Sequence, residues 1–238
     1  MQARQIMAQS RRHEGPSPCG SNAARRPTWH DLAHRFTGER ECLASYLALE
    51  AAEVIGSAKP ANLLNLLDWQ RPCGRNTYLL WRKHGHKLLA QAGLEAFALA
   101  QRENSVLLLI YHPERLAAYL ETPKVTNFLR RAGYHRVANR QETLRELQGR
   151  CTASDFPHEI GAILGYPLKD VAGFMGWVKL PVTHQGPWKI FGDPRSSLAV
   201  IEACRDCRDG MARRLRAGSN PFDCLGQVAQ PGVFLANN

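Results

Sequence analysis

Apolar residues recur three and four positions apart at Leu43, Tyr46, Leu47, Val54 and Ile55, which predicts a helix over 41–56, punctuated by Lys59-Pro60. A second helix is predicted over 77–92, stopped by Gly93. The pattern then changes. Leu94–Ala100 and Val106–His112 are strand candidates around the polar turn Arg102-Glu103-Asn104-Ser105, so they read as a hairpin. Pro113 opens a helix at the position where a proline is tolerated. Further helices are predicted over 123–132, ended by Gly133, and over 141–150, and a short strand over 188–191. Asp193-Pro194 starts a long helix to about Ala217, with Gly218 after it. The sum predicts an α+β fold, a helix-rich domain packed around a small, mainly antiparallel sheet.

The two ends read differently. Residues 1–38 are rich in Gln, Ser, Arg, Gly and Pro and are expected to form a disordered extension whose removal, to residue 35, leaves the fold intact. Residues 39–218 form the predicted single domain, and 219–238 read as a loop-like tail. His30 and His34 could share a helical face, but in so polar a segment solvated histidines are expected.

Composition bounds the function. The chain has 238 residues, 44% of them hydrophobic and 22% charged, which excludes collagen, coiled coil and wholesale disorder. The longest strongly apolar run, Val106–Tyr111, is far too short to span a membrane, and the N-terminus has no apolar signal core, so a cytoplasmic location and no membrane partner are expected. There are 31 basic residues against 21 acidic, a net charge of +10, which suits anionic partners. The arginines are scattered, however, and the main local surplus lies between Lys124 and Arg150.

Seven cysteines, an odd number, read as reduced thiols. Cys204 and Cys207 form one C-x-x-C; with Cys224 as a third ligand a zinc site would still lack a fourth, and two thiols one helical turn apart is the plainer reading. No metal ligands are assigned. The chain carries no GxGxxG, GxxxxGK[ST], HExxH or GxSxG.

The most informative stretch runs from Phe156 to Val171. Pro157 suits a helix start, which puts His158 and Glu159 in a first turn with free N–H groups. Ile160, Ile163 and Leu164 form the apolar side, Gly165 closes the helix and Pro167 opens another. One reading is a helix-turn-helix over residues 157–176, although Lys169 and Asp170 are poor readers of base edges, so sequence-specific DNA binding is not expected. The other is a polar site at the rim of a pocket, with His158 approaching Tyr166 or Trp188. A structural helical hairpin with a capping glutamate explains the same residues more simply.

Phe156-Pro157-His158-Glu159-Ile160-Gly161, Leu164-Gly165-Tyr166-Pro167-Leu168, Asp170-Val171 and Gly173-Phe174 closely resemble the hallmark of an uncharacterised bacterial family, domain-of-unknown-function family 3793. Other segments match in order: Lys59-Pro60-Ala61-Asn62-Leu63, Leu109 to Pro113, Gly133-Tyr134, Gly186 with Trp188-Lys189 and Gly192-Asp193, and Cys207-Arg208-Asp209. The resemblance covers about residues 42–218. It implies anaerobic bacteria and iron-transport or flavodoxin gene neighbourhoods, but no activity. Relatives often carry cysteines where this chain has Ala51 and His184-Gln185, so a metal held by those cysteines could not be held here in the same way.

Three functions follow as expectations. The first is an enzyme or ligand-binding protein with His158, Glu159 and Tyr166 as catalytic candidates and Lys59, Asn62, Trp188 and Lys189 contacting an unidentified small molecule or anion. In it Glu159 is the acid/base, His158 a proton shuttle or ligand and Lys59 an anion contact. The second is the nucleic-acid-binding regulator. The third is an accessory protein of an iron or redox system. The cofactor and the oligomeric state are left open.

Overall fold

The computed structural model describes residues 26–71, 73–137, 139–151 and 156–226. The first predicted helix is broken in two at Ala51, into α1 (Glu39–Glu50) and α2 (Ala52–Ile55). Cys42–Leu49 are buried on every side of α1, which therefore runs through the middle of its layer rather than along its surface. Strand β1 (Ala61–Leu67) follows. The second predicted helix is also interrupted: α3 (Thr77–Leu80) and α4 (His86–Gln91) are joined by a π-helical turn, Trp81–Gly85. Asn76 caps α3 by accepting from the N–H groups of Tyr78 and Leu79 at 3.0 and 3.2 Å.

The predicted hairpin is present as β2 (Glu95–Arg102) and β3 (Ser105–Tyr111), antiparallel, with an irregularity between Ala98 and Ala100. On its other side β3 pairs antiparallel with β1, Ala61 opposite Tyr111 and Leu67 opposite Ser105, so the sheet order is β1-β3-β2. The helices α5 (Pro113–Leu120), α6 (Pro123–Arg131), α7 (Arg140–Cys151) and the short α8 (Ile160–Ile163) follow. Helix α9 (Leu168–Phe174) leads to β4 (Val182–Gln185) and β5 (Lys189–Phe191), and then to α10 (Arg195–Arg216) and α11 (Pro221–Gly226). The chain is α+β, as its pattern predicts.

Both faces of the larger sheet are covered. Val106, Leu108 and Ile110 point into a core with α1, α2, α3, α4 and the buried side of α10. Leu107, Leu109 and Tyr111 point into a second core with α5, α6, α7 and α8. The period-2 geometry of one strand thus feeds two cores. Among the described residues no helix is long and apolar enough to cross a membrane.

The two expected terminal boundaries need correction. Residues 1–25 lie outside the described residues, but the rest of the expected extension is packed. Trp29, Leu32, Ala33 and Phe36 belong to the first core, on two 3₁₀ turns, while His30 and His34 between them are exposed. The Trp29 indole donates to the Ser45 hydroxyl at 3.2 Å and meets the Tyr46 ring edge-on. The three large apolar groups Trp29, Leu32 and Phe36 outweigh the polar residues around them. At the other end, Pro221, Cys224 and Leu225 of the expected tail are buried in α11, against α1; residues 227–238 lie outside the described residues.

Candidate functional site

The motif from Phe156 to Phe174 folds as a structural corner. Its helix starts at Ile160, three residues later than Pro157 suggests; Pro157–Glu159 form a turn, with Ile160 N–H donating to Pro157 O. Gly165 has φ of +79°, and a β-carbon there would collide with Pro60. Only glycine combines that backbone with so close an approach. Gly173 likewise has the Phe191 ring against it. Three separate sequence segments, around Pro60, Gly165 and Phe191, are thereby locked together.

Glu159 is not at a pocket rim. It is 6% exposed, and its carboxylate accepts from Arg150 at 3.0 Å. Arg150 also reaches Glu146 at 2.9 Å and lies over the Tyr134 ring, 4.2 Å from its centroid. A buried charge demands such a partner, and the carboxylate caps no helix end. His158 is half-buried. Its ring meets Phe174 edge-on at 4.9 Å, and its buried Nδ1 has no hydrogen-bond partner. The expected approach to Tyr166 or Trp188 is replaced by this contact: the aromatic partner of Tyr166 is Trp188, stacked at 4.5 Å.

The corner is organised by Asp170, the acidic residue in the first turn of α9. Asp170 is 2% exposed. One carboxylate oxygen accepts from Lys169 Nζ at 2.8 Å and Phe191 N–H at 2.9 Å; the other accepts from Trp188 Nε1 at 2.9 Å and the Ser197 hydroxyl at 2.6 Å. Lys169 Nζ also donates to Phe191 O and Ser197 Oγ. Together these tie α9, β5 and the first turn of α10. The only advance signal for Asp170 was its place in the motif, between Leu168 and Val171.

Lys59, Tyr166 and Trp188 are brought together. Lys59 Nζ lies 5.1 Å above the Tyr166 ring, whose stacking partner is the Trp188 indole oriented by Asp170. Lys59 is half-buried and makes no ion pair with a carboxylate among the described residues. Asn62 does not join them. Its amide donates to Glu50 O at 2.9 Å and to buried Glu53 at 2.6 Å, where Arg26 also binds. Lys189 is exposed on β5. An opening of about 420 Å³ lies elsewhere, lined by Leu88, Gln91, Ala92, Phe222 and Leu225, and holds none of these residues.

The late Cys207-Arg208-Asp209 segment is also structural. Cys207 packs on Gly56, where a β-carbon would collide with its sulfur. Arg208 is buried and donates to Glu50 at 2.8 Å and to the carbonyls of Leu49 and Pro27. The six described cysteines are free thiols, and burial pushes Cys204 up to about 12 and Cys151 up to about 11. Burial also raises Cys42, Cys207 and Cys224. Among the described residues no group of three or more His, Cys, Asp or Glu is placed to hold a metal.

These raised thiols make a prediction. Between the thiol's ordinary value and its raised one, the folded chain keeps protons that the unfolded chain has lost. Stability should therefore be full below about pH 8.5 and fall as pH rises further. Urea midpoints at pH 8 and pH 10.5 check it, with the lower midpoint expected at pH 10.5; an unchanged or higher midpoint there contradicts it.

The model of the family described as "Protein of unknown function (DUF3793)" matches residues 47–225. The chain belongs to the DUF3793 family. No curated protein and no solved structure matches it. The match begins inside α1 and ends in α11, so it covers the second core, the corner and most of the first core, while the packed Trp29–Phe36 segment and the start of α1 lie before it. The hallmark of this DUF3793 chain is thus carried largely by packing: two glycines at close approaches, and the carboxylates of Glu159 and Asp170 already bound within the protein.

Proposed function

We propose that this DUF3793 protein is a cytoplasmic binding protein for a small carboxylate- or phosphate-bearing molecule, recognised at Lys59, Tyr166 and Trp188, and that His158 and Glu159 support the fold beside that site. The observation that carries the reading is the half-buried Lys59 ammonium. It is held over an aromatic stack and has no carboxylate partner of its own among the described residues. Partial burial raises the benefit of an anion there, because a cation so placed is poorly hydrated. Glu159, buried and already bound by Arg150, is a poor general acid or base, since protonation would break that buried pair.

Other observations weigh against the two alternatives. The polar side chains of α9 turn inward to β5 and Ser197, which leaves a helix-turn-helix without base-reading groups. Thiols raised by burial are poor nucleophiles and poor redox partners.

The test is titration with inorganic phosphate, citrate and adenosine monophosphate, read by tryptophan fluorescence and calorimetry. Saturable binding of at least one is expected, and Lys59→Met should weaken it about tenfold, the loss of one charge-assisted contact. No saturable binding by any of the three, or unchanged affinity in Lys59→Met, overturns the reading.

A further inference from the structure

The two-stranded sheet β4-β5 has one closed edge and one open edge. On β5, the N–H of Phe191 donates to Asp170 and its carbonyl accepts from Lys169. Both backbone groups of Phe191 therefore face away from β4. Val182 stands directly opposite Phe191 in the antiparallel register. In such a ladder two opposed residues either exchange hydrogen bonds or both turn outward. The N–H and C=O of Val182 consequently point out from the free side of β4, the edge to which no third strand is paired among the described residues.

The side chains beside this edge suit a partner. Every residue of β4 is exposed. Leu180 and Val182, on either side of Pro181 where the chain enters β4, are 40% and 52% exposed, and Val178 in the bend before them is 36% exposed. From Val171 to Gly192 the sequence has Lys179, His184 and Lys189 and no acidic residue. A second copy of this face would meet like charge with like charge. A membrane offers no hydrogen bonds to the outward backbone groups at hydrocarbon depth. Single-stranded nucleic acid favours aromatic platforms over a row of aliphatic side chains.

We propose that the β4 edge of this protein receives an extended, acidic segment of a partner protein, which adds a third strand by pairing with the backbone of Val182. Alternate apolar side chains of that segment cover Leu180 and Val182, and its carboxylates face Lys179 and His184. Main-chain pairing supplies the affinity and the alternating pockets supply the selectivity.

The test uses labelled decapeptides of alternating acidic and apolar residues, the same peptides with lysine in place of the acids, vesicles containing anionic lipid, and a twelve-nucleotide single strand. Fluorescence anisotropy should show salt-sensitive binding of the acidic peptides alone, with the Val182 amide slowed in hydrogen exchange. Val182→Pro, which removes the outward N–H, should weaken binding about tenfold or more, and Lys179→Glu should do likewise. Both variants should keep the wild-type melting temperature, and Lys59→Met should bind the peptides normally, which separates this edge from the Lys59 site. Binding of the vesicles or the oligonucleotide in preference to the acidic peptides, absence of peptide binding at millimolar concentration, or full affinity in Val182→Pro overturns the proposal. If Val182→Pro unfolds, Lys179→Glu and the exchange of the Val182 amide decide.

Discussion

Asp170→Ala should destabilise this protein by about 3–5 kcal/mol, the range for removing one partner from a buried charged network. The carboxylate accepts four hydrogen bonds at 2% exposure. Without it the Trp188 indole N–H and the Phe191 N–H lose their acceptor, and Lys169 is left as a half-buried cation with only neutral oxygens. A loss of that size is a large part of the roughly 5–15 kcal/mol available to a domain. Thermal melts should show a drop of several degrees and a change in tryptophan fluorescence as Trp188 leaves Tyr166. Lys83→Ala, which removes an exposed pair with Glu39, is the control and should melt close to the wild type. A normal melt for Asp170→Ala would mean that the corner does not depend on this carboxylate.

Trp29→Ala carries the second large effect, about 3–5 kcal/mol, the usual cost of truncating a buried indole to a methyl group. Trp29 is 2% exposed, and its N–H satisfies the buried Ser45 hydroxyl. Ser45 in turn donates to Cys42 O. The urea midpoint should fall well below that of wild type, and deletion of residues 1–35 should fall at least as far. A truncated protein as stable as the full chain would restore the extension that polar composition suggests and would place Trp29 outside the fold.

Both residues show what the chain reveals and what it conceals. Val106–Tyr111 is apolar at every position, the signature of a strand buried on both faces, and β3 is the central strand with a core on each side. Its second neighbour, β1, was harder to see. Asn62 interrupts the apolar pattern there and is buried because Glu53 accepts from it, a partner nine residues away. The Trp29–Phe36 segment packs through two short 3₁₀ turns, too brief to establish a period. Strand β4 is exposed throughout and has no buried face to produce alternation.

The candidate site divides along the same line. Lys59, Tyr166 and Trp188 lie on three segments that no single helical or strand period connects, and only the fold sets them side by side. His158 and Glu159 stand out as adjacent polar residues, but the fate of Glu159 depends on Arg150, which reaches it from the preceding helix. A first-turn position predicts both residues at a pocket rim; Glu159 is instead buried and paired with Arg150.

The most direct measurement is calorimetric titration of His158→Ala and Lys59→Met side by side with whichever of phosphate, citrate and adenosine monophosphate binds the wild type. A binding site built on Lys59 and the Tyr166–Trp188 stack predicts that His158→Ala keeps wild-type affinity and Lys59→Met loses about tenfold. Loss of affinity in His158→Ala with none in Lys59→Met would contradict it and return the chemistry to the helix start at His158.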